Sequence, residues 1–278
     1  MAKLKCILLF ALFLITGITN AQVTIAPTNL FIEDNSRFGT YLVINGSNET
    51  QEIAIEFFFG YSIANEEGLR SIVEDDSAMA ANHSVSQFVR AFPQNFTLAP
   101  GQRQVVRLRI NAPQTLEDGT YWSRIKTSSV PETPPLELQN TENVSASVSI
   151  RVEQITGLYF KKGNVNTGIE INELSAAPDE DNDNIVVLAN IDRTGNSPFL
   201  GSITTTISNQ NGEVVRRGFV STTIYFSTVV RQELELGDLP EGQYTVSMQF
   251  ESARTDVSEN EIVQMPTERS STSLIISE

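Results

Sequence analysis

The chain has 278 residues, and its Lys+Arg 19 against Asp+Glu 34 give a formal net charge of −15. That length accommodates two medium β domains or one large one. So acidic a surface repels nucleic acid and anionic lipid, which sets both aside as partners.

Met1 to Lys5 contains Lys3 and Lys5, "CILLFALFLITGI" supplies about a dozen apolar residues, and "TNA" ends in the small residue Ala21 before Gln22. This is the pattern of a cleaved secretory signal over residues 1–21, with an apolar run too short for a comfortable membrane span. A short signal anchor is the other reading. Cys6, the only cysteine, heads the apolar run instead of closing it, so lipidation is not expected. The mature chain then has no thiol for disulfides, nucleophilic chemistry or metal binding.

Strand-like segments follow. "VTIAPTNLFIE", "GTYLVINGSNE" and "QEIAIEFFFGYSI" are rich in Val, Ile, Tyr and Phe and end at Gly, Asn or Pro. "EDDSAMAANHSVSQFV" is the best helical candidate. "QVVRLRINAP" and "GTYWSRIKTS" continue the strand pattern. "SSVPETPPLELQNTEN", with Pro131, Pro134 and Pro135, reads as a long exposed loop.

After that loop comes "NVSASVSIRVEQITG". Val144, Ala146, Val148, Ile150 and Val152 alternate there with Ser145, Ser147, Ser149, Arg151 and Glu153, the period of a strand. A strand reached through a long loop is not held by a tight hairpin and is free to sit at a sheet edge. The same alternation also fits an ordinary sandwich strand facing its own core. "GLYFKKGN" reads as a connection to a second set of strands: "NIVVLANI", "GSITTTISNQNGEVV", "TTIYFSTVVRQELEL", "GQYTVSMQF" and "STSLIISE". Asn-Gly and Pro-Glu-Gly turns punctuate them. The expected fold class is all-β, with two Ig-like β-sandwich domains in tandem at 22–156 and 157–278.

Residues for chemistry are scarce. His83 is the only histidine and has neither metal-ligand spacing nor a nucleophile motif around it, so a structural role is expected. In "PDEDNDN", Asp179, Asp181 and Asp183 alternate like the start of a calcium loop. The glycine that should follow is missing, and position twelve is Asn190 instead of glutamate. A solvated acidic turn is the plainer reading. No enzyme activity, cofactor or metal is expected.

"FTLAPGQRQVVRLRI" and "LEDGTYWSRIKTSSVP", followed by the proline-rich loop and the alternating strand, resemble the PapD-like periplasmic chaperones of the chaperone–usher pilus pathway. The matching residues are Phe96, Leu98, Pro100, Gly101, Gln102, Val106, Arg107 and Leu108, then Asp118, Gly119, Tyr121, Ser123, Arg124 and Ile125. "IAPTNLFIED" and "YLVINGSNE" resemble the family's first two strands. The resemblance covers roughly residues 23–156, in the order and spacing of several weak motifs.

The resemblance implies an L-shaped pair of Ig-like domains with a cleft between them, located in the periplasm. It implies pilus or fimbrial subunits as partners and an outer-membrane usher beside them. The last strand of the first domain would be lent to a subunit that lacks its own, with Val144, Ala146, Val148, Ile150 and Val152 as the inserted side chains. The family also holds the subunit's terminal carboxylate with two basic residues. Arg151 matches one in place and parity, and the other aligns with Asn29, where this chain has an amide; Arg37 or Lys126 could substitute. Arg151 is equally well read as a surface residue at a strand end. Self-association through the edge strand would hide it between clients. The alternative to a chaperone is a structural or adhesive secreted two-domain Ig-like protein of a cell-surface complex.

Overall fold

The computed structural model of the chain describes residues 23–132, 149–179 and 183–277. The expected signal segment at 1–21, Val144, Ala146 and Val148 lie outside them, as does part of the 179–184 acidic run.

The first unit comprises β1 (Val23–Ala26), β2 (Asn29–Glu33), β3 (Phe38–Asn45) and β4 (Gln51–Phe58). A hairpin of β5 (Tyr61–Ala64) and β6 (Arg70–Val73) follows, then helix α1 (Ser77–His83). β7 (Val89–Phe92), β8 (Asn95–Leu98), β9 (Arg103–Ile110), β10 (Gly119–Pro131) and β11 (Val152–Lys162) complete it. The strands form two facing sheets, ordered β1-β3-β9-β7 and β2-β11-β10-β4-β8. Alternate residues of each strand point inward, so Val43, Val106 and Leu108 meet Ile32, Ile55, Ile125, Leu158 and Phe160 in one apolar core. The helix expected from "EDDSAMAANHSVSQFV" is real but confined to α1.

The second unit comprises β12 (Thr167–Asp179), β13 (Asn184–Gly195), β14 (Phe199–Ser208), β15 (Val214–Ile224), β16 (Thr228–Glu235), β17 (Gly242–Glu251) and β18 (Glu268–Ile276). Its sheets run β12-β13-β16 and β15-β14-β17-β18. Ile185, Val187, Ile203, Val246 and Phe250 are wholly buried between them. The chain is thus two β-sandwiches in tandem. The Asn-Gly turn of "NQNGEV" joins β14 to β15, with Gly212 at φ 81° and its N–H donated to the Asn209 carbonyl at 3.0 Å.

The boundary differs from the expectation. β11 does not stop near Thr156; it pairs with β10 without a break from Ser129↔Val152 to Gly119↔Lys162. Leu158 and Phe160 are buried in the first core, so "GLYFKK" is strand and the connection begins at Gly163. Gly157 looked like a terminator because glycine usually ends a strand. Here it permits close packing: a Cβ at 157 would lie 2.6 Å from the Asn29 Oδ1.

A polar joint holds the two sandwiches at this connection. Asp118 Oδ2 accepts from the Asn164 N–H at 2.9 Å, while Asn196 donates to the Asp118 carbonyl at 3.0 Å and the Asn164 carbonyl at 2.9 Å. Gly163 sits in the left-handed region at φ 60°, and a Cβ there would overlap the Asp118 carboxylate. Gly163→Ala should therefore destabilise the chain by about 1–3 kcal/mol, read as a lower urea midpoint. An unchanged midpoint would show that the joint contributes nothing.

Candidate functional site

An aromatic cluster seals the two units together. Phe59, Tyr61, Trp122 and Tyr159 of the first pack with Leu200, Tyr225 and Ile262 of the second. The Trp122 ring is 4.9 Å from Tyr225, 5.6 Å from Phe59 and 5.1 Å from His83, which stacks on it. Phe31 stacks on Tyr159 at 5.1 Å, and the Arg124 guanidinium lies over the Tyr225 ring at 5.5 Å. His83 is thus an aromatic tile in the seam. Burial and then the Arg193 charge lower its pKa, favouring the neutral ring. Asp76 fixes α1, accepting from the Met79 N–H at 3.0 Å and from the Tyr61 hydroxyl at 2.8 Å. The β5–β6 hairpin reaches across as a brace, where the Ala64 N–H donates to Thr228 Oγ1 at 3.1 Å and Arg70 donates to Thr222.

β11 passes from this seam to an open edge. On one side it pairs with β10 along its whole length, but on the other β2 reaches only Gly157 to Lys161. Among the described residues, 152–156 therefore have one backbone edge with no strand beside it; the Gln154 side chain there donates to the Val23 carbonyl at 2.7 Å. Ile155 is 53% exposed, and Ile150, just before the strand, is 63% exposed. Ile150 and Val152 share the parity of Leu158 and Phe160, so the alternating set continues the core-facing side of β11 out past the first core. Arg151 has the opposite parity and borders a groove with Glu52, Ala54, Glu56 and Ser128.

Arg151 and Asn29 are not brought together. Asn29 pairs with Gly157, six residues from Arg151, so the two stand ~20 Å apart at ~3.3 Å per strand residue. The suggested substitutes are engaged elsewhere. Arg37 is held by Asp34 at 2.5 Å and by the Ala112 carbonyl at 2.9 Å, and Lys126 by Glu56 at 2.6 Å. The Asn29 amide donates to Asp256 at 3.3 Å, and Arg254 clasps that carboxylate with two bonds of 2.8 and 2.7 Å. The Arg254 hydrogen bond is the main cause holding the Asp256 carboxyl below its usual range. Arg254, Asp256 and Arg124 are thus charged groups at this part of the seam. Sequence reasoning did not find Arg254 or Asp256, because their partner Asn29 lies in a different unit and no local motif links them.

The Tyr159 and Tyr225 hydroxyls meet at 2.9 Å, both residues 2% exposed. Tyr225→Phe strands the remaining hydroxyl and should cost about 1–3 kcal/mol, whereas the double Phe variant should cost less than the two single changes added together. Urea unfolding of the four proteins tests this, and strict additivity would refute the coupling. Burial, and then the neighbouring Tyr159, push the Tyr225 phenol well above its ordinary value; burial also raises Tyr41. A raised phenol keeps its proton in the folded chain where the unfolded chain releases it. That stability is complete below about pH 10 and is lost as pH climbs from there toward the folded-state values. Unfolding midpoints should fall above that point, and less steeply in the double Phe variant.

No protein-family model matches the chain, and no curated protein does. Solved structures do. The YadV chaperone is 8% identical, with 91% of this chain and 100% of that one covered and a TM-score of 0.48. The Pseudomonas aeruginosa CupB2 chaperone is 11% identical, covers 91% and 100%, and has a TM-score of 0.44. A chain from the Salmonella enterica SafA pilin–SafB chaperone complex is 11% identical, covers 94% and 99%, and has a TM-score of 0.41.

Proposed function

We propose that this chain is a periplasmic assembly chaperone that holds incomplete pilus or fimbrial subunits by lending them the strand leading into and including the start of β11. The observation that carries the proposal is the one-sided pairing of residues 152–156, with β10 on one side and no strand of the described residues on the other. The alternating residues before it and the ordered motifs around Gln102 and Arg124 support the same reading.

A subunit missing its last strand exposes part of its core and a row of unpaired backbone groups. A lent strand supplies both deficits at once. Its N–H and C=O groups complete the sheet, and Val144, Ala146, Val148, Ile150 and Val152 enter the pockets of the groove. The chemistry requires no nucleotide, metal or bond cleavage. Arg151, on the opposite face of that strand, pairs with a client carboxylate, while Asn29, already facing Asp256, contributes at most an amide hydrogen bond. An outer-membrane usher would then receive the subunit, and between clients a second copy would cover the edge.

The test is recovery of subunits with the chaperone from the periplasm. Val148→Asp places an unpaired charge in an apolar pocket at a cost of several kcal/mol, so recovery should fall to background. Undiminished recovery would refute strand lending by this segment. Arg151→Ala should weaken capture roughly tenfold, the size of one charge-assisted hydrogen bond. Unchanged capture would remove the carboxylate anchor and leave the lent strand standing.

A further inference from the structure

The outer face of the β1-β3-β9-β7 sheet is basic on an otherwise acidic protein. In β9, Val106, Leu108 and Ile110 point into the core while Arg103, Val105, Arg107 and Arg109 point out. In β7, Arg90 and Phe92 point out. β3 adds Phe38 and Thr40 to the exposed face, with Leu42 and Ile44 half-buried beside them. Strand register sets these residues in rows: Phe38, Arg109 and Arg90 lie side by side, and so do Thr40, Arg107 and Phe92. None of β3, β7 or β9 contains an Asp or Glu.

Among the described residues, the four guanidinium groups form no ion pair with an acid; every ion pair there lies elsewhere. Arg90 donates only to backbone, the Gln87 carbonyl at 3.2 Å and the Val89 carbonyl at 2.7 Å, and Arg109 rests over the Phe38 ring at 5.6 Å. Arg37, Arg216, Arg231 and Arg254, by contrast, each hold a carboxylate. Like charges directly opposite on neighbouring strands disfavour the free protein, and Arg90 faces Arg109 in that way. An anionic partner would relieve that repulsion. Phe38 and Phe92, each 59% exposed, and Val105, 50% exposed, supply apolar contact among the charges.

We infer that this sheet face is a docking surface for an acidic polypeptide segment, in which carboxylates meet Arg90, Arg103, Arg107 and Arg109 while an apolar residue covers Phe38 or Phe92. Arginine's planar fork matches carboxylates two bonds at a time, and cross-strand neighbours ~4.8 Å apart with next-but-one residues ~6.8 Å apart suit discrete side chains. A second copy docking by the same face would crowd like charges together. An anionic bilayer would meet the chain's net charge of −15, and Phe38 lies beneath a guanidinium instead of projecting as an insertion wedge. The face belongs to the sheet opposite β11, so the inference does not depend on strand lending.

Fluorescence anisotropy of a labelled oligo-glutamate peptide mixed with the mature chain tests it. Binding is expected at low salt and should weaken as salt screens the exposed charges. The Arg107→Glu/Arg109→Glu variant, which alters only exposed side chains, should bind roughly tenfold more weakly or worse. Arg217→Gln, an exposed arginine of the second unit, should change nothing, and neither should Val148→Asp. Three results would overturn the inference: no binding by the wild-type chain, equal binding by the charge-reversed variant, or recruitment to phosphatidylglycerol vesicles in place of the peptide.

Discussion

The buried contact between Tyr159 and Tyr225 sets what the rest of the molecule can do. Tyr159 is part of β11, and Tyr225 follows the last residue of β15 in the second unit, so one hydroxyl pair ties the last strand of one sandwich to the other sandwich. Each hydroxyl is removed from water, and each meets the other's hydrogen-bonding need. Trp122 Nε1 is buried among the surrounding rings and has no hydrogen-bond partner among the described residues. A seam with that composition resists sliding, because any shift would leave two phenols as poorly served as the indole already is.

That rigidity matters because β11 has two unlike halves. From Gly157 onward it is central: β10 lies on one side, β2 on the other, and Leu158 and Phe160 sit in the core. Before Gly157 it is an edge with apolar residues running out past the core. A long apolar edge is an aggregation hazard if it is free to move and pair at random. Anchored at its far end, the same edge is presented in one direction and one register. The ion pairs at the end of β11, Lys161 with Glu33 and Lys162 with Asp34, add to that anchorage. Lys161 and Lys162 are almost fully buried, so leaving either carboxylate out would expose the protein to an unpaired buried cation.

Much of this was legible from residue patterns. Alternation, turn residues and the absence of any long helical period gave an all-β chain in two parts, and the proline-rich loop marked the strand after it as unusual. Other features were not legible, for definite reasons. β12 escaped notice because a bulge between Ile171 and Glu173 shifts its alternation by one residue, so Ile169 and Ile171 have the opposite parity from Leu174 and Ala176 on the same face. The boundary was misplaced because Gly157 carries the same letter whether it ends a strand or lets another backbone approach. The seam was invisible because its rings come from β2, β5, α1, β10, β11, the residue after β4 and the second unit, and nothing local announces which aromatic residues will meet. Arg103, Arg107 and Arg109 were in plain view, yet only the register with β7 and β3 shows that they share one face with Arg90, on strands that carry no acid.

Asn29 and Gly157 make one further point about where charge sits. They are register partners, and their side chains share a space that holds only one of them. With an amide at 29 and no side chain at 157, β2 approaches β11 closely, and neither position carries charge. Arg124 of β10 is the register partner of Gly157, and the second unit adds Arg254 and Asp256 beside Asn29, with Asp256 compensating Arg254 before any ligand arrives. An anion entering there must compete with a carboxylate already held by two hydrogen bonds, a contest that a single guanidinium settles in favour of the resident. Arg151 is in no described ion pair, but Glu52 and Glu56 line the open groove it borders, so an anion arriving there meets resident carboxylates as well.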